Sequence, residues 1–217
     1  MNTVSAALWA PIEMSRRLES KPTWKPAFFI VVIGSVLLTW LKSCLRGSSF
    51  VIDISVIFGS FVSISLILGL VWTAISLLLY YLSILFNAQK KLTFRIIFSL
   101  VSHCGIIFLV GEWINFVLIQ TGILKSTSLV IPNRFPMGLD ILLLGKSPNI
   151  SLAVTFQSIN LFTIWYFAVI GLGISIIGEI AKPKGVLLVT IVWGSVLAMA
   201  LMLISVIGGT SIGINIR

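Results

Sequence analysis

The sequence predicts an all-α polytopic membrane protein, a bundle of five transmembrane helices preceded by an amphipathic interfacial helix. Three observations carry that prediction. Five long apolar stretches run through the chain, the short segments between them hold most of the charge, and the mean hydropathy of +1.14 lies far above that of a soluble domain. Hydrophobic residues make up 58% of the chain and charged residues 10%. A soluble domain of 217 residues could not hide that much apolar surface, whereas a bilayer accepts it directly. Only helices or closed barrels satisfy their backbone in lipid, and these stretches are too long and too uniformly apolar for barrel strands.

The elements follow in order. Residues 1–26 form a cytoplasmic amphipathic segment in which Leu8, Trp9, Ile12, Met14 and Leu18 turn toward the bilayer while Glu13, Arg16, Arg17 and Glu19 face water. Pro22 and Pro26 break that helix, and Trp24 sits at interface depth before the first span. The transmembrane domain covers residues 27–217, with spans at about 27–45, 56–86, 96–119, 159–180 and 186–207. The uncharged run from Ile54 to Phe86 would be about 50 Å long as a helix, against a hydrocarbon core of about 30 Å, so it has to tilt, bend or begin outside the membrane. An outer loop spans 120–158. Its prolines and glycine mark turns, its Leu139–Leu144 run is apolar, and Asn149-Ile150-Ser151 fits a glycosylation pattern that is read as unused.

Charge sets the orientation. Nine basic residues (Arg16, Arg17, Lys21, Lys25, Lys90, Lys91, Arg95, Lys182 and Lys184) fall on one side of this layout. Six (Lys42, Arg46, Lys125, Arg134, Lys146 and Arg217) fall on the other, spread over longer segments. The positive-inside rule then puts the N-terminus in the cytoplasm and the C-terminus outside the cell membrane. The net charge of +9 is accounted for by these topology signals and by attraction to anionic headgroups of the lipid bilayer, with no nucleic-acid partner.

Candidate functional residues concentrate on the third span, which holds Ser99, Ser102, His103, Glu112 and Asn115. Glu112 is the one carboxylate well inside an apolar run. It reads either as a proton or cation carrier or partner anchor, or as a hydrogen-bonded residue near the outer interface that ties this span to another. Asn115 shares its helical face, three residues on, while His103 lies nine residues earlier and half a turn out of phase. Cys44, Cys104 and the single histidine supply too few ligands for a metal, and no cofactor is expected. Spans four and five carry small residues at four-residue spacing, Gly171 with Ser175 and Gly194 with Ala198. That spacing lets helices approach closely in lipid, and the turn Ala181-Lys182-Pro183-Lys184-Gly185 closes them into a hairpin.

The opening Pro11-Ile12-Glu13-Met14-Ser15-Arg16-Arg17-Leu18, then Lys21-Pro22-Thr23-Trp24 and the first span, resembles the start of bacterial Yip-family (Ypt/Rab-interacting) membrane proteins. Ser158 to Trp165, the run Gly171-Leu172-Gly173-Ile174-Ser175 and a last span containing Trp193 extend the resemblance over most of the chain. The acidic Asp-Leu-x-Gly-Pro-type motif of eukaryotic members is absent, so Rab binding does not carry over. The resemblance implies a non-enzymatic five-span protein that serves as an accessory or scaffold subunit, with transporter subunits such as those of an ATP-binding-cassette exporter as partners. Two other readings stay open: a small transporter or channel using Glu112, and a membrane immunity or stress-protection protein. A catalytic constellation is not expected, since His103 and Glu112 face opposite ways.

Overall fold

The computed structural model of the chain describes residues 3–45, 54–86, 92–121, 138–139 and 150–210. These residues form eight helices: α1 (Thr3–Trp9), α2 (Pro11–Ser20), α3 (Lys25–Leu45), α4 (Ile54–Leu85), α5 (Phe94–Gln120), α6 (Ile150–Ser158), α7 (Leu161–Ile177) and α8 (Lys182–Thr210). No strand occurs among them; an isolated bridge joins Gly138 to Asn160. Four helices, α3, α4, α5 and α8, are long and apolar enough to cross a membrane, and α7 is a shorter apolar helix of 17 residues. Most of the outer loop, including residues 140–144 of its apolar run and Asn149, lies outside the described residues, as do Arg46, Lys90, Lys91, Lys125, Arg134, Lys146 and Arg217.

Local chemistry explains where the helices begin and end. Pro11 and Pro26 stand in the first turns of α2 and α3, where a missing N–H costs no hydrogen bond. Thr93 caps α5 by accepting from the Ile96 N–H at 3.4 Å, and Asn160 caps α7 by accepting from the Thr163 N–H at 2.9 Å. The α7 C-terminus closes with the Ile180 N–H donating to the Ser175 carbonyl at 3.1 Å, which turns the chain into α8. That geometry needs a left-handed residue, and Glu179 supplies it at φ 52°, one position after Gly178.

Helix α5 is the axis of the bundle. Of its most apolar stretch 67% is buried, against 22, 17 and 17% in α3, α4 and α8. It packs against α1, α2, α3, α4 and α7. Trp24 meets Phe98 at one end of α3 and Lys42 meets Glu112 at the other, so α3 and α5 run parallel. Gly111 lies against Phe162 and Leu100 against Gly173, so α7 runs antiparallel to α5. Helix α4 buries Trp72, Ser76, Leu79 and Ser83 in one stripe at helical spacing, with the Trp72 ring seated on Gly105 of α5. The starts of α3, α5 and α8 therefore share one end of the bundle with Lys25, Arg95, Lys182 and Lys184.

The N-terminal helices sit differently from expectation. Met14 and Leu18, read from the sequence as turned toward the bilayer, are fully buried within the protein together with Ser15, Ala6 and Ala7. Helix α2 packs on α7 and α5, and α1 on α5. Gly173 explains the choice. Lacking a side chain, it lets Ser15 and Leu100 close over it, so the apolar stripe of α2 finds a protein surface. Trp9 and Ile12 stay exposed, as do Glu13 and Arg16.

Candidate functional site

The polar residues of α5 are held by their own helix. The Ser99 hydroxyl donates to the Arg95 carbonyl at 2.8 Å, and Ser102 donates to the Phe98 carbonyl at 2.7 Å. The His103 Nδ1–H donates to the Ser99 carbonyl at 2.8 Å, with the ring 1% exposed. Such back-bonding one turn away lets polar side chains sit inside an apolar bundle without a partner helix. His103 is thus a buried, locally bonded residue within the run of α5 from Ser99 to Ile107 that is buried throughout.

Glu112 sits elsewhere. Its Oε2 lies 3.4 Å from the Lys42 Nζ, and both side chains are more than a third exposed. The pair joins α5 to the far end of α3, residues 70 apart in sequence. Asn115, one turn on, is buried at 4% exposure. His103 is not brought to this group. No cluster of metal-ligating side chains occurs among the described residues. Lys42 gave no signal in the sequence beyond being a cation at the end of a span, because its partner is set by how α3 lies on α5.

Of the small residues the spacing singled out, Gly171 and Ser175 of α7 lie in the hairpin contact, whereas on α8 the contact falls to Gly185. A Cβ at Gly171 would lie 2.9 Å from the Val186 Cα, and one at Gly185 would strike the Ser175 hydroxyl and the Gly171 carbonyl. Ser175 donates to that same carbonyl at 2.7 Å. Gly171 and Ser175 thus meet Gly185 in the first turn of α8. Gly194 has no protein atom within 4 Å of the place its Cβ would take, and Ala198 is exposed. Helical phase explains this: Gly194 lies nine residues, half a turn out of phase, from Gly185 and so faces away from α7, while its neighbour Trp193 still meets Phe167 at 5.5 Å.

Among the residues placed at the membrane interface by sequence, Arg16 is exposed and Arg17 is ion-paired with Glu13 one turn earlier. Trp24 is half-buried, edge-on to Phe28 at 5.7 Å and to Phe98 at 5.5 Å, where it fastens the start of α3 to the start of α5.

A feature the sequence did not signal is a groove of about 500 Å³ between α4, α7 and α8, floored by Phe108 of α5. Its walls are apolar, with Trp72, Tyr166 and Trp193 among them, and its polar residues gather at the end where α7 begins. There Asn160 is engaged in capping, and the Ser158 hydroxyl donates to the Thr155 carbonyl at 2.7 Å. The Gln157 Nε2 is buried and has no hydrogen-bond partner among the described residues. A donor left so costs about 1–3 kcal/mol, which makes this amide the unsatisfied group of the groove.

These features define the class: an all-α protein with several helices suited to crossing a membrane, organised around a polar central helix. No protein-family model matches the chain, and comparisons with curated proteins and with solved structures found no match.

Proposed function

We propose that the chain is a non-enzymatic, multi-pass protein of the cell membrane that acts as an accessory or scaffold subunit of a membrane complex, a transport system such as an ATP-binding-cassette exporter. The observation that carries this reading is the outward position of small residues that the chain does not use itself. Outside their own stretch of helix, no atom of the described residues lies within 4 Å of the Cβ positions of Gly59 and Gly69 on α4 or of Gly194 on α8. Gly59 and Ser63 are exposed four residues apart on α4, and Ala198 continues the Gly194 face. In lipid, such stripes gain van der Waals contact only when another helix closes on them. A membrane partner is the natural occupant.

The layout supports five spans. At 17 residues α7 is about 26 Å long, within reach of a hydrocarbon core of about 30 Å, and its hairpin with α8 returns the chain to the far side. The basic end of the bundle then faces the cytoplasm. The Lys42–Glu112 pair supports a structural role for Glu112. The resemblance to bacterial Yip-family proteins supports the same reading.

The test is affinity purification of the full chain at native level in mild detergent, with mass spectrometry of what co-elutes. A stoichiometric membrane subunit is expected, lost in Gly59→Leu or Gly194→Leu variants that stay monodisperse. A protein that elutes alone, with both variants indistinguishable from wild type, would refute the scaffold role.

A further inference from the structure

We propose that the groove between α4, α7 and α8 binds one acyl chain of a membrane glycerolipid, with an ester or headgroup oxygen accepting a hydrogen bond from Gln157. Three observations converge on that occupant. First, polarity runs one way. Gln157, Ser158, Asn160 and Thr163 lie at one end, and the walls beyond them are aliphatic and aromatic, which is the polarity of an amphiphile. Second, length fits one leaflet. From Asn160 to Ile170 the groove follows α7 for about 15 Å, half of a hydrocarbon core of about 30 Å. A membrane-spanning partner helix would need a groove twice as long. Third, among the described residues no Asp, Glu, Lys or Arg lines it, which suits an uncharged acceptor such as an ester carbonyl at its polar end. The Nε2 of Gln157 is unpartnered but buried, and rotation of its side chain toward the groove would bring it to such an oxygen as donor. The cavity volume of about 500 Å³ lies within the range of small-molecule sites.

The experiment uses the full chain in phosphatidylcholine vesicles containing a small fraction of a phosphatidylcholine with a diazirine in its acyl chain and an alkyne tag. Adducts are mapped by mass spectrometry after illumination, with and without excess unlabelled lipid. Saturable labelling is expected at groove residues such as Tyr166 and Trp193, above the level at outward-facing Leu66, Leu70 and Met199. Val196→Trp, which fills the rim from an already exposed position, is expected to abolish the saturable fraction. Gln157→Leu is expected to lower it roughly fivefold, as loss of one hydrogen bond would. Labelling that does not saturate, or that is equal on groove and outward faces, overturns the proposal. So does a folded Val196→Trp protein that labels like wild type. A photoreactive residue at position 196 that captures a polypeptide in native membranes, and no lipid, also overturns it.

Discussion

Gly171 and Gly194 occupy equivalent places in the sequence pattern and opposite places in the fold, which makes paired alanine substitutions a sharp test. An alanine Cβ at 171 would lie 2.9 Å from the Val186 Cα and 3.0 Å from the Val186 nitrogen, both backbone atoms. Carbon atoms settle at about 3.5–4.0 Å, so α7 and α8 would have to part by about 0.6–1.1 Å. Overpacking of this kind costs about 1–3 kcal/mol. At 194 the same methyl meets nothing within 4 Å. Both substitutions gain about 1 kcal/mol of helix propensity, so that contribution cancels in the difference. Gly194→Ala is therefore expected to be more stable than Gly171→Ala by about 2 kcal/mol, or roughly 4–8 °C in midpoint for a domain of this size. Thermal unfolding in one detergent, followed by circular dichroism and by loss of monodispersity, reads the difference. Equal midpoints for the two variants would refute the assignment of the close contact to Gly171 and Gly185.

Four further outcomes are expected. Leu18→Ala, which opens a cavity beneath α2, should destabilise the bundle by about 2–4 kcal/mol; a helix lying only on the bilayer would lose membrane affinity and leave the bundle midpoint unchanged. Glu112→Gln should cost under about 1 kcal/mol, because the pair is more than a third exposed, and the swap Lys42→Glu with Glu112→Lys should recover most of what either single reversal loses in a double-mutant cycle. His103→Leu should change stability by no more than about 1 kcal/mol, since the Ser99 carbonyl keeps its bond within the helix; a loss of activity with fold and complex intact would instead give the ring a chemical role. Glu179→Gly should raise the midpoint by relieving the left-handed backbone at φ 52°, worth about 1 kcal/mol, and an unchanged or lower midpoint would show that the turn is not strained there.

The helical class, the long apolar runs and the break after α2 were legible in the chain because each depends on neighbours in sequence: hydropathy over a window and prolines at helix boundaries. The uncharged run at Ile54, expected to tilt, bend or begin outside the membrane, is one continuous helix of 32 residues, about 48 Å long. The third span declared itself by its polarity, and the fold gives that polarity a reason, since α5 is the helix most covered by others. Which face of each helix is buried was not legible. In a soluble protein the outside of a helix is polar and the inside apolar, but in lipid both are apolar, so the periodic signal that assigns faces is nearly erased.

For the same reason Gly171 and Gly194 looked alike, although the former meets Gly185 across the hairpin and the latter, half a turn out of phase with Gly185, faces away from α7. The stripe of Met14 and Leu18 was visible, yet its partner was not, because a bilayer and the end of a bundle are equally apolar. Sequence by itself determined an all-α chain with helices fit for a membrane and a polar third span. Tertiary structure alone decided that Lys42 meets Glu112, that Gly185 receives Ser175, that α2 lies on Gly173, and that α4, α7 and α8 enclose a groove ending at Gln157. Each of these joins residues distant along the chain, and helix-to-helix distances depend on side-chain shape at a crossing, a quantity that no local window contains.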